Sequence, residues 1–173
     1  MRVAIFLFFI FLTDFSYAQE AVKPRPSPLN MCKAVYKTSY LRIIYSQPHK
    51  RGRTVFGGLA PYEKVWRAGA NDATEITLIG EITLAGHVLK AGTYSLFVVP
   101  HPASWTIVLN SNLGQWGAFN YDITKDVLRV EAPTETSDVI YEPFTILIEQ
   151  SNEKGAIRFL WDNVRVSIPF LFK

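Results

Sequence analysis

The 173-residue chain holds one cysteine, three histidines and no long apolar run outside its first dozen residues. Each scarcity excludes something. A single cysteine, Cys32, permits no internal disulfide, so the domain must be held by its core. The histidines His49, His87 and His101 show no metal-ligand spacing, and neither HExxH nor CxxC occurs. The pattern therefore calls for no metal and no cofactor. No GxSxG elbow marks a serine hydrolase, and no GKS or GKT follows the glycines to make a phosphate loop. No amphipathic pattern outlasts about two helical turns, and no internal repeat is visible.

The exception at the N-terminus is Val3 to Leu12, which follows Arg2 and precedes the small-x-small stretch Ser16-Tyr17-Ala18. This is the pattern of an export signal over residues 1–18. Ten apolar residues cover about 15 Å as a helix, half a bilayer core, so a membrane span is not expected after cleavage. No cysteine follows the signal directly, which argues against a lipid anchor. The expected location is the periplasm or the exterior. Residues 19–30 carry three prolines and read as an extended tether, leaving 31–173 as one domain.

What remains is rich in strand signals. Tyr40–Tyr45, Glu75–Ile79, Glu81–Leu84, Tyr94–Val99 and Trp105–Leu109 are short β-type runs. Tyr94–Val99 (YSLFVV) is apolar throughout, as in a strand buried on both faces. Phe144–Glu149, Ile157–Asp162 and Val164–Ile168 alternate with a period of two. Ala85–His87 and Ser151–Gly155 read as turns, and Asp162-Asn163 as a further hairpin turn. Eight to ten strands of this kind predict an all-β fold, an antiparallel β-sandwich or jelly roll, with a closed barrel as the alternative.

One connection stands apart. Between Gln47 and Ala73 more than twenty residues separate two strands, a length often kept for function. Gln47–Asn71 carries Lys50, Arg51, Arg53, Lys64 and Arg67 against Glu63 alone, a local charge of +4 on a chain of net +3. So local an excess indicates an anion site rather than a nucleic-acid surface. Pro61 to Gly69 has the punctuation of a short helix, with Tyr62 and Trp66 four apart on one face. In the functional reading Arg53 and Arg67 fork onto a carboxylate, phosphate or sulfate, Tyr62 or Trp66 stacks on a flat ring, and Asn71 adds hydrogen bonds. In the plainer reading Trp66 and Phe56 form a satellite core and the arginines pair with Asp72 or Glu75. A second loop, Gln115–Asp122 (QWGAFNYD), offers Trp116, Phe119 and Tyr121 as a sugar platform or as an end plug.

The stretch resembles the signature of a bacterial secreted family known as domain of unknown function 2911. The matching residues are Tyr45, Ser46, Pro48, Gly52, Arg53, Phe56, Gly57, Pro61, Tyr62, Trp66, Arg67, Gly69, Ala70 and Asn71. Ala91–Pro100, Trp105–Asn110, Gln115–Asp122 and Asp126–Val130 resemble later blocks in the same order, so the likeness runs from about Pro26 to Ile168. An arginine common in the family is Gln47 here. The resemblance implies kinship and no activity. The leading expectation is a non-catalytic exported module that binds an anionic or carbohydrate ligand, or an envelope protein partner. The alternatives are a hydrolase or lyase using His49 or a carboxylate pair from Asp72, Glu75, Asp122, Asp126 and Asp162, and a structural protein without a small ligand.

Overall fold

A computed structural model describes residues 23–173; the expected export signal lies outside them. Nine antiparallel strands account for most of the described chain. They are β1 (Leu29–Tyr36), β2 (Ser39–Ser46), β3 (Ala70–Ile79), β4 (Ile82–Leu84), β5 (His87–Leu89), β6 (Gly92–Pro100), β7 (Ser104–Asn110), β8 (Asp126–Ser151) and β9 (Lys154–Phe172). The order is β1-β2-β3-β6-β7-β8-β9-β4-β5. The tether ends a little early, since Leu29 and Asn30 already pair with Ser46 and Tyr45.

The 26-residue strand β8 makes the fold a sandwich. Its first third, to Pro133, pairs with β7, and from Thr134 onward it pairs with β9. One strand thus leaves one sheet and enters the other, bending through register shifts between Thr136, Tyr141 and Thr145. The two sheets close over one core. Leu41, Ile43, Ile76, Leu78, Leu96, Val98, Trp105 and Ile107 face Phe144, Ile146, Ile157, Phe159, Trp161, Ile82 and Leu84, all essentially without solvent exposure. On the open side the Gln150 amide accepts from Val35 N–H and donates to Val35 C=O, at 3.1 and 2.8 Å. This side chain mimics a ladder rung and covers the edge strand β1.

The double-sided burial expected of YSLFVV is present. Leu96 and Val98 enter the main core, while Phe97 joins Val108 and Ala73 in a small second core on the outer face. Two local expectations are corrected. Asp162-Asn163 is not a hairpin turn: β9 runs through it, with Asp162 at φ 53° opposite Tyr141. This bulge uses the same kind of positive-φ residue as a tight turn, so composition alone does not separate them. Nor is there a helix in 61–69. Glu63 and Ala68 have φ of 60° and 49°, which breaks any helical run. Among the described residues the helical content is one 3-10 turn, Ile123–Lys125, just after the second loop.

Candidate functional site

The long connection is laced to both sheets. Residues 48–50 pair with β8, through the bridge between His49 and Pro143 and through Lys50 N–H donating to Glu142 C=O. Residues 63–66 pair with β6, through Glu63 N–H on Pro100 C=O and the two-way bridge between Trp66 and Val98. Between these anchors the chain turns on its glycines. Gly57 has φ 82°, and a Cβ on Gly58 would sit 2.4 Å from the Thr54 carbonyl oxygen. The connection carries Val55, Ala60, Trp66 and Ala68 into the main core.

Trp66 is therefore not a stacking platform. It is 6% exposed, 5.4 Å from Trp161 in a stacked pair and 4.8 Å edge-on from Phe144. Its Nε1–H donates to Gly69 C=O at 3.1 Å. Tyr62, expected on the same face, is instead exposed beside Gly57. The helix that would have aligned the two rings is absent.

The basic residues also part company. Arg53 donates from Nε to Lys50 C=O and from Nη2 to His49 C=O, so its fork staples its own turn. Arg51 donates to Pro26 C=O. Lys50 is paired with Asp162 at 2.6 Å, across the bulge in β9. None of these reaches Asp72 or Glu75. Arg67 differs: it forms none of the ion pairs among the described residues, and its buried Nε has no hydrogen-bond partner. Burial lowers the affinity of its guanidinium for a proton, because a charge removed from water and left unpaired is disfavoured.

The second loop lies against Arg67. Ala73 N–H donates to Gln115 C=O, and Gly117 N–H to Asn71 C=O, so residues 115–117 pair antiparallel with the start of β3. Asn71 occupies φ 58°, which an asparagine tolerates and which turns the chain from the connection into the strand. A Cβ on Gly117 would lie 3.5 Å from Arg67 Nη1 and 2.9 Å from the Phe119 ring. Phe119, 83% exposed, therefore lies beside the unpaired guanidinium, and Trp116, 59% exposed, precedes Gly117 in the same loop. Tyr121 belongs elsewhere. Its ring packs edge-on against Phe97, its hydroxyl donates to Asp126 Oδ2 at 2.6 Å and accepts from Arg129, and burial with that Asp126 bond pushes its pKa up to about 12.

Of the eight candidate residues, Arg67, Asn71, Trp116 and Phe119 lie on the two adjoining segments; Arg53, Tyr62, Trp66 and Tyr121 serve other contacts. Phe119 is brought to Arg67 at Gly117. Its neighbour spacing (Trp-Gly-x-Phe) was the available signal. A further grouping has no pattern in the sequence: His101 Nδ1 pairs with Glu63 Oε1 at 2.7 Å, and its Nε2 lies 3.5 Å from Thr106 Oγ1. Thr106 is buried and donates to Glu131, so the chain ties the long connection to the β6–β7 corner. Among the acids, Asp162 pairs with Lys50, Asp122 caps the 3-10 turn and Asp126 anchors Tyr121.

Fold and site define an antiparallel β-sandwich in which the long connection, a strap across both sheets, and the second loop bring an unpaired arginine beside an exposed aromatic ring. The chain belongs to the family described as protein of unknown function (DUF2911), whose model matches residues 27–170. No curated protein and no solved structure matches it.

Proposed function

We propose that the protein is an exported, non-catalytic binding module for an anionic or sugar-like ligand, held by Arg67 with Trp116 and Phe119 as flat apolar walls. One observation carries this reading: a half-buried guanidinium that forms no ion pair among the described residues, beside the exposed Phe119 ring in a loop that also exposes Trp116. A buried charge without a partner is costly to keep, and a carboxylate or phosphate supplies the missing partner through a two-point fork. Aromatic faces beside it suit a sugar ring or other flat group. An acidic group on an envelope protein would meet the same chemistry. Export rests on the N-terminal signal pattern.

Thermal-shift measurements with galacturonate and glucose 6-phosphate, beside neutral galactose and glucose, test the reading. A charged sugar at a hundred times its dissociation constant adds about 2.7 kcal/mol to stability. Arg67→Met abolishes the gain while Arg53→Met preserves it. If neither charged compound stabilises the protein, or if Arg67→Met responds like the native chain, the assignment fails.

A second reading is favoured by the burial of Trp66: the strap is a structural closure of the sandwich. The two are compatible, because Trp66 and Arg67 face opposite ways.

A further inference from the structure

The outer face of the β1–β2 hairpin carries a cleft of about 330 Å³, a size that small-ligand sites reach. The pleat fixes which side chains meet it. Cys32, Ala34 and Tyr36 of β1 and Leu41, Ile43 and Tyr45 of β2 pack into the core, so Met31, Lys33, Val35, Tyr40 and Arg42 stand on the opposite face. All five line the cleft, together with Lys37 from the hairpin turn, and no acidic residue does.

Two independent features point to a ligand of two parts. The first is charge. Lys33 stands directly opposite Arg42 in the register, and like charges in that position weaken strand pairing. Thr77 is the partner of Arg42 on its other side, so no acid stands in that row. The acid in the next outward row, Glu75, is opposite Ile44, and its Oε1 accepts from Gly114 N–H. Lys33, Lys37 and Arg42 form none of the ion pairs among the described residues. The second is apolar exposure. Met31 and Val35, on either side of Lys33, are 52% and 53% exposed, and Ile79, opposite Tyr40, is 50% exposed. Apolar side chains gathered on one face with polar neighbours mark a contact surface.

We infer that this cleft binds a single-chain anionic amphiphile, an alkyl chain that ends in a carboxylate, sulfate or phosphate. The headgroup relieves the repulsion between Lys33 and Arg42, and the chain lies along the apolar side chains beside them. Other occupants meet obstacles. A peptide added as a strand to the edge of β1 needs Val35 N–H and C=O, and the Gln150 amide already holds both. A second copy docked about a two-fold axis sets the same three cations against themselves. This inference does not rest on the ligand assigned to Arg67, which does not line the cleft.

Titration of the purified full-length chain with sodium octanoate, followed by amide NMR, tests it. The amides of Lys33, Val35, Tyr40 and Arg42 should shift saturably. Sodium acetate, a headgroup without a chain, and 1-octanol, a chain without a charge, should bind there about tenfold more weakly or not at all. Sodium decanoate should bind about tenfold more tightly, since each buried methylene is worth about fourfold. Arg42→Gln and Lys33→Gln should each weaken octanoate binding about tenfold, equivalent to loss of one charge-assisted contact. Arg67→Met should leave the hairpin shifts unaltered, which separates this site from the one proposed above. Amides outside the hairpin report that each variant is folded, and the comparisons on the native chain decide even where a variant unfolds. The inference is overturned if octanoate gives no saturable shift at the hairpin, if 1-octanol binds there as well as octanoate, if both folded variants bind as the native chain does, or if the hairpin amides shift on dilution of the protein alone, as they would between copies.

Discussion

Replacing Trp66 by alanine is the sharpest test of how the strap is held. The side chain is 6% exposed and packs on Trp161, Phe144 and Trp105 at 5.4, 4.8 and 6.3 Å. Truncation of a large buried aromatic costs about 3–5 kcal/mol, from lost transfer energy and the cavity left behind. For a domain of this size each kcal/mol moves the midpoint by about 2–4 °C, so Trp66→Ala should lower Tm by about 6–20 °C. Trp66→Phe separates two contributions. It keeps a ring against Trp161 but removes the donor to Gly69 C=O, and leaving that carbonyl unpaired costs about 1–3 kcal/mol. Urea unfolding followed by tryptophan fluorescence and by far-UV circular dichroism should rank the native chain above Trp66→Phe, and that above Trp66→Ala. If Trp66→Ala costs less than about 1 kcal/mol with an unchanged m-value, the tryptophan is not part of the core and the account of the strap is wrong.

Arg67→Met should leave urea stability unchanged or raise it, because it removes a desolvated charge with no partner; a clear loss would mean that Arg67 is structural. Gly58→Ala should destabilise by about 1–3 kcal/mol, since its Cβ meets the Thr54 carbonyl oxygen at 2.4 Å, and equal midpoints for the two proteins would refute that crowding. Alkaline pH should weaken the fold. Burial raises the Cys32 thiol from 9.0 to about 12, and Tyr121 rises from 10.0 to about 12, so the folded state holds both protons more tightly than the unfolded chain. That contribution is complete below about pH 9 and is lost as the pH climbs through 12. Cys32→Ala should flatten the early part of this decline in urea midpoints measured across the range, and an unaltered profile would remove the thiol from the explanation.

The sequence carried the strands well and the connections poorly, for a physical reason. Periodicity reports which faces are buried, so YSLFVV was legible as a strand covered on both sides, and Phe144–Glu149 as one covered on a single side. It does not report continuity. β8 and β9 each read as separate short strands, because the bulge at Asp162 and the irregular stretch between Thr136 and Thr145 use residues that also make turns. The aromatic-rich strap is ambiguous in the same way. A tryptophan four residues after a tyrosine, framed by proline and glycine, satisfies a helical pattern, yet the positive φ of Glu63 and Ala68 depends on docking against β6 and the core, which no local pattern encodes. The meeting of Asn71 with Gly117 was likewise a tertiary fact.

The same docking explains why an arginine beside a core tryptophan stays unpaired. Trp66 makes a strand-like bridge to Val98, so its side chain enters the sandwich and the next residue must turn away from it. Arg67 C=O is then occupied by Thr74 N–H, and the Thr74 hydroxyl donates to Ala68 C=O, which leaves the backbone on either side little freedom. Gly117 must lack a side chain for the Phe119 ring to lie so close beside Arg67. The guanidinium is thus held by rigid neighbours rather than by a counter-ion. An arginine positioned only for stability would gain more from Asp72 or Glu75, both on the adjoining strand, than from remaining half-buried alone. The arrangement gives up that pairing, and this is the physical ground on which a ligand role for Arg67 is proposed.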